Sequence, residues 1–137
     1  MDIVLFLDDD VDRHSHFRAR MTATKASGRG NQRRILYTFT AADAIAALRA
    51  HEGEISEAFL DHDLCVEDQC IRPGAPSKVP TGMAVVEHIV AMQKPPRKVT
   101  VHSFNAPAAM AMCARLDKVA GVAVRRIPFS HLLAQLG

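Results

Sequence analysis

Tryptophan is absent from this chain and tyrosine occurs once, so few ring faces are on offer for stacking unpaired bases. No helix-turn-helix, zinc-finger or aromatic RNA-binding signature is present, and nothing points to duplex DNA as a partner. Charge of one sign is not in excess: the formal net charge is +2, too little for a nucleic-acid coat. The local cluster of Arg18, Arg20, Lys25, Arg29, Arg33 and Arg34 reads as a solvated helix face and loop. Cysteine is sparse. Cys65, Cys70 and Cys113 form no even disulfide framework and suit free thiols in a reducing compartment. Cys65, Cys70 and His62 lie around one loop, yet their spacing is not that of a CxxC pair and no fourth zinc ligand accompanies them. Long apolar runs are also missing, which excludes a bilayer-crossing helix. The chain opens directly on a strand pattern rather than a signal peptide, so a cytoplasmic location is expected.

The content that remains is that of an ordinary globular chain. Its 137 residues, 48% hydrophobic and 23% charged, fit one domain spanning 1–137 with a single core and argue against disorder. Strand and helix patterns alternate. Asp2 to Leu7 is a continuous apolar run, expected of a strand buried on both faces. A helix follows with Val11, Phe17 and Met21 as its inner stripe, then a Gly, Ser and Asn loop over 26–31. Arg34 to Phe39 reads as the second strand, and Thr40 caps an alanine-rich helix that Gly53 closes. Ile55 to Leu60 is the third strand. The stretch from Cys65 to Pro80 holds Pro73, Gly74, Pro76 and Pro80 with little apolar periodicity, and a loop of this length is commonly functional or a lid. Thr81-Gly82 opens a third helix with Met83, Val85, Val86, Ile89 and Val90, ended before Pro95-Pro96. Lys98 to His102, Pro107 to Val119, Val122 to Ile127 and Ser130 to Leu136 read as strand, helix, strand and a short helix that Ser130 caps. Such alternation predicts a doubly wound three-layer α/β sandwich around a five-stranded parallel sheet.

Three segments at predicted strand ends carry the chemistry: Leu5-Phe6-Leu7-Asp8-Asp9-Asp10, Phe59-Leu60-Asp61-His62-Asp63-Leu64 and Val101-His102-Ser103-Phe104-Asn105. In an open parallel sheet, ligands bind outside the carboxyl ends of the strands, so these groups converge on one site. Carboxylates crowded there repel each other, and a divalent cation relieves the repulsion while engaging phosphate oxygens. Each element also has a plainer reading. Asp8 to Asp10 could cap the first helix; His62 could be a ligand, a base or a structural residue; His102 and Asn105 could be loop hydrogen-bonders. His14, His16, His51, His88 and His131 read as surface or structural, and Met83, Met92, Met110 and Met112 as core filler.

Along nearly the whole chain the landmarks resemble the receiver domains of bacterial response regulators. Asp8-Asp9 stands where such domains keep paired metal-binding acids, Asp61 where they keep the phosphoacceptor, and Thr81-Gly82 resembles the Asp-Gly that opens the third helix. Ser103 matches their fourth-strand hydroxyl residue, and Pro128-Phe129 the proline and aromatic after the fifth strand. The resemblance implies a flavodoxin-like sheet of order 2-1-3-4-5. It also implies a lysine just before the proline, whereas this chain has Ile127 there and Arg126 one step earlier. Strand alternation turns Arg126 to the wrong face for that role. With its additional Arg13, His62, Asp63, His102 and Asn105, the set is most similar to the divergent cyclic-phosphate-processing receiver domains. That resemblance implies action on a cyclic phosphate, in a nucleotide or at an RNA end.

The expected chemistry follows. Asp8, Asp9 and Asp61, with Asp63 beside them, would hold one Mg²⁺ or Mn²⁺, which draws charge from a phosphoryl oxygen and lowers the pKa of a bound water. His62 or His102 would move the proton, while Ser103 and Asn105 would bond phosphate oxygens. Arg13, one turn into the first helix, would clamp a phosphate. Two other classes compete with this enzyme: a signalling module phosphorylated on Asp61 and read out through Ser103, and a module that binds a phosphorylated ligand or a protein partner without turnover. A chain of this size without an output domain is expected to be an enzyme or a single-domain signalling partner.

Overall fold

A computed structural model describes residues 2–26, 33–64 and 80–135. Its elements alternate as β1 (Asp2–Leu7), α1 (Val11–Ala26), β2 (Arg33–Thr38), α2 (Ala41–Ala50) and β3 (Ile55–Leu60). They continue as α3 (Gly82–Ala91), β4 (Lys98–Val101), α4 (Ala106–Leu116), β5 (Ala123–Arg126) and α5 (Phe129–Gln135). All four strand pairings are parallel, and the sheet order is β2-β1-β3-β4-β5, the expected doubly wound arrangement. No described helix is long and apolar enough to cross a membrane.

Side chains alternate across the sheet and so build two apolar layers. Ile3, Leu5, Leu7, Ala58, Leu60, Val99 and Val101 pack under α2, α3 and α4, where Leu48, Val86, Ile89 and Met112 are buried. Val4, Phe6 and Phe59 face α1 and α5 through Phe17, Phe129 and Leu132. On this second face Phe6 and Phe17 stack with centroids 4.1 Å apart. Val11, expected on the inner stripe of α1, is instead 65% exposed; the helix turns His14 and Phe17 inward in its place.

Helix starts follow local capping chemistry. Thr40 accepts a bond from the Asp43 amide, Thr81 from the Met83 amide and Asn105 from the Ala108 amide. Gly53, which ends the loop after α2, has φ 83°, a left-handed conformation that suits glycine. The last two helices begin one residue earlier than the sequence pattern suggests, at Ala106 and Phe129. Strand β4 stops at Val101, which leaves His102 just past the strand.

Register is what makes the rim. The β1–β3 pairing shifts between Ile3 and Val4, so that Ile3 opposes Ile55 but Val4 opposes Glu57. This irregularity skips Ser56 on β3 and ends the ladder with Leu7 opposite Leu60. Without the extra residue, Asp8 would stand beside Leu60 rather than Asp61.

The N-terminus of α3 is seated directly on the end of β3. The Gly82 amide donates to the His62 carbonyl at 3.0 Å, and a Cβ at Gly82 would overlap the carbonyl oxygen of Asp61 and touch the His62 Cα. Backbone atoms cannot yield as a flexible side chain can. The Gly82→Ala protein is therefore expected to lose about 2–4 kcal/mol of stability, read as a lowered thermal midpoint. An unchanged midpoint would contradict this packing.

Candidate functional site

The four inter-strand pairings end on Leu7, Thr38, Leu60, Val101 and Arg126, so the next residue of each strand stands on a common edge. The ladder runs one bond further: Asp8 N–H donates to Thr38 O at 3.1 Å, Asp61 N–H to Leu7 O at 3.1 Å, His102 N–H to Leu60 O at 3.0 Å and Ile127 N–H to Val101 O at 3.0 Å. Neighbouring strands lie about 4.8 Å apart. Asp8, Asp61 and His102 thus become adjacent, and strand alternation puts all three on the face covered by α1 and α5. Ligand atoms from the three lie within 4.8 Å of one another.

Asp8 is fully buried and held from every side. One carboxylate oxygen accepts the Asp10 amide at 2.9 Å and faces Arg13 Nε at 3.2 Å. The other lies 3.0 Å from His102 Nε2. Its carbonyl accepts from His14 Nε2 at 2.7 Å, which fixes the proton of that ring on Nε2, since a carbonyl only accepts. His102 is just as buried, lies flat against Phe6 with centroids 5.3 Å apart and an interplanar angle of 5°, and its Nδ1 has no hydrogen-bond partner among the described residues. A buried N–H without an acceptor is costly, so the ring proton belongs on Nε2, where it meets Asp8. His102 therefore braces Asp8, and the nitrogen it turns to the cluster carries a proton rather than a free lone pair.

Arg13 reaches across the acids. Its Nε lies 3.2 Å from Asp8 and 3.8 Å from Asp10, and its terminal nitrogen lies 3.6 Å from Asp9 and 3.8 Å from Asp61. Asp10 also caps α1, its carboxylate accepting the amides of Asp12 and Arg13 at 2.8 and 3.2 Å. The plainer capping reading thus holds for Asp10, while Asp8 and Asp61 face the cluster.

Asp61 is buried, with one oxygen accepting the His62 amide at 2.9 Å. Burial first, and the neighbouring Asp8 charge second, raise its carboxyl from 3.8 to about 6, against the opposing pull of His102, Arg13 and the His62 amide. A second group sits outside this one. His62 Nδ1 lies 2.7 Å from the Asp63 carboxylate, which also accepts from the Asn105 amide nitrogen at 3.3 Å. The Asn105 oxygen is occupied in capping α4 at 3.2 Å, and the buried Ser103 hydroxyl accepts the Asn105 backbone amide at 3.1 Å.

Among the sequence candidates, the structure brings Asp8, Asp61, His102 and Arg13 into one cluster with Asp9 at its edge. It brings His62, Asp63 and Asn105 into another, and places Ser103 beneath them. The position of the receiver lysine is filled by Ile127, packed with Phe6 and Phe129 in the apolar layer. Arg125 turns to Thr100 at 3.1 Å, and Arg126 lies toward Cys113 on the opposite face. Of the two readings the sequence leaves for His14, surface or structural, the second holds: it is a buried support of Asp8, and its position three residues before Phe17 is the available signal. Cys65 and Cys70, and with them the zinc alternative and the long loop, fall outside the described residues.

The sequence model of a family described as "Cyclic-phosphate processing Receiver domain" matches residues 3–118. No curated protein matches the chain. Among solved structures, the chain is similar to a response regulator receiver domain from Rhodospirillum rubrum, with TM-score 0.65 and 13% identity over 98% of this chain and 89% of that one. It is also similar to a chain of the CheX-CheY-BeF3-Mg+2 complex from Borrelia burgdorferi, with TM-score 0.57 and 14% identity over 98% and 86%. A third likeness is to the bacteriophytochrome response regulator AtBRR, with TM-score 0.54 and 13% identity over 99% and 91%.

The raised Asp61 carboxyl has a consequence for stability. A carboxyl protonated more readily in the folded than in the unfolded chain favours folding below the unfolded value of 3.8, and that contribution is lost as pH rises through about 6. In buffer with a chelator, raising the pH from about 4 to 7 is expected to remove on the order of 2–3 kcal/mol through this group. Thermal melts of Asp61→Asn should lack that part of the pH dependence. A wild-type and a variant profile of the same slope would contradict the assignment.

Proposed function

The chain belongs to the cyclic-phosphate processing receiver domain family, and from that premise we propose that it hydrolyses a cyclic phosphate with the help of a divalent cation. The observation that carries the reading is the pair of buried carboxylates, Asp8 and Asp61, delivered by separate strands to one point. Two hard oxygen donors this close suit Mg²⁺ or Mn²⁺, and burial leaves them with little water to neutralise their charge. Asp8 and Asp61 would hold the ion, with Asp9 beside them. When bound, such an ion polarises a phosphoryl oxygen and lowers the pKa of a coordinated water.

The remaining groups divide the work by exposure. His102 is fully buried and acts on the reaction only through Asp8. His62 is within reach of a ligand, and its Nδ1 is paired with Asp63, itself fixed by Asn105. A base oriented by a carboxylate in this way keeps its other nitrogen for proton transfer. In the proposed step, water oxygen bonds to phosphorus as one ring P–O bond breaks. His62 Nε2 takes the proton from the water and returns it to the departing sugar oxygen, so that the product is a phosphate monoester. Asp63, a cation ligand by the sequence pattern, serves here to orient His62.

A second reading keeps a specific support: Asp61 stands at the end of β3 with the Ser103 strand end beside it, the layout of a phosphoacceptor and its hydroxyl partner. Under it, the domain works in signalling with a protein partner. The buried apolar Ile127 in place of a phosphate-contacting lysine favours the hydrolase.

With Mn²⁺ and a 2′,3′-cyclic nucleotide, the wild type is expected to release a monophosphate. Asp61→Asn should abolish release, and His62→Gln should slow it by about 10²-fold or more. Turnover by Asp61→Asn at the wild-type rate would refute the hydrolase. Phosphorylation of the wild type on Asp61 by a small phosphodonor, with no monophosphate released, would select the signalling reading.

A further inference from the structure

The Arg13 guanidinium lies within 3.8 Å of carboxylates from Asp8, Asp9, Asp10 and Asp61. Despite this crowd of acceptors, its Nε is buried without a well-formed hydrogen bond. Among the described residues no two-pronged hydrogen bond joins it to a carboxylate, the grip that a guanidinium usually gives. The group is thus centred among the acids by charge rather than by bonding geometry. On its outer side the guanidinium carbon stands 5.9 Å from the centre of the Phe104 ring, and that ring is 61% exposed. From its place among the acids Arg13 thus already borders an aromatic face at the rim, toward which it can shift.

We propose that Arg13 is a tethered counter-ion that occupies the cation site and is displaced onto the Phe104 rim when a divalent ion enters. The proposal rests on the cation reading given above. A divalent ion sits about 2 Å from its carboxylate oxygens, and Asp8 Oδ1 and Asp61 Oδ2, the oxygens not turned to His102 or to the His62 amide, are those that Arg13 approaches at 3.2 and 3.8 Å. Both cations cannot keep these positions, because like charges would then lie within a few ångströms in a site largely closed to water. The compact ion has the higher charge density and can coordinate where Arg13 does not bond. Displacement leaves the guanidinium at the mouth of the site, where it faces an incoming phosphate. Ion binding and the creation of a phosphate clamp are then one event, and the apo site is neutralised against stray binding of other cations.

Calorimetric titration of the whole chain with Mn²⁺ tests this, using Arg13→Gln and the control Arg18→Gln. Arg18 lies one turn and a half further along α1, over the Tyr37 ring at 4.4 Å, so its loss changes net charge equally. Arg13→Gln is expected to bind Mn²⁺ at least about tenfold more tightly than wild type, and Arg18→Gln to change by less than about twofold. In the wild type, the side-chain Nε–H resonance of Arg13 should shift as Mg²⁺ saturates the site, a readout independent of any variant. Equal affinity of Arg13→Gln and wild type, equal tightening by both variants, or an unmoved Arg13 resonance at saturation would overturn the inference while leaving the cation site intact. No uptake by either wild type or Arg13→Gln would overturn it together with the cation reading.

Discussion

A carboxylate with no exposure to water must find its compensation inside the protein, and Asp8 is the point at which this structure meets that demand. Its side chain takes a backbone amide, a histidine and a guanidinium, while its carbonyl takes a second histidine and its amide joins the sheet. Removing any one partner would strand a buried polar group at a cost of about 1–3 kcal/mol. The apolar layer between sheet and α1 is shaped around the same need: Phe6 carries His102 on its face and meets His14 edge-on with centroids 4.9 Å apart. The packing of the core and the geometry of the site are therefore one arrangement.

Asp61 differs from Asp8 in a way that gives the pair its chemistry. Both are buried, yet among the described residues Asp61 receives one backbone bond and a guanidinium at 3.8 Å; burial first, and the Asp8 charge second, raise its carboxyl to about 6. Of the two adjacent acids, Asp8 is enclosed by donors and Asp61 is the one left open to a cation or a proton. The skipped Ser56 in β3 and the bare Gly82 against the Asp61 carbonyl set this proximity. Backbone features thus position the reactive pair before any side-chain contact does.

The sheet, its five parallel strands and the acids at their ends were legible in the sequence, because a buried parallel strand leaves a continuous apolar run and a polar residue directly after it is conspicuous. The runs before Asp8, Asp61 and His102 locate the edge without coordinates. The direction of His102 was also readable from alternation: Thr100 and His102 share the face opposite Val99 and Val101. Less legible was the division of labour. Arg13 carries the same guanidinium whether it clamps a ligand or neutralises acids, and only distances tell which. Asn105 precedes an alanine-rich helix, so its capping role was implicit in a pattern also fit for binding phosphate. His14 reads equally as surface or structural from its place on the helix, and a single buried carbonyl decides for the second.

The claim on which this account rests is that Asp8 and Asp61 share one divalent cation. Anomalous diffraction from crystals soaked in Mn²⁺ tests it directly. The account predicts a peak about 2 Å from an oxygen of each carboxylate, with the Arg13 guanidinium moved outward toward Phe104. Saturating Mn²⁺ with no peak between the two acids, and Arg13 still seated among them, would contradict it.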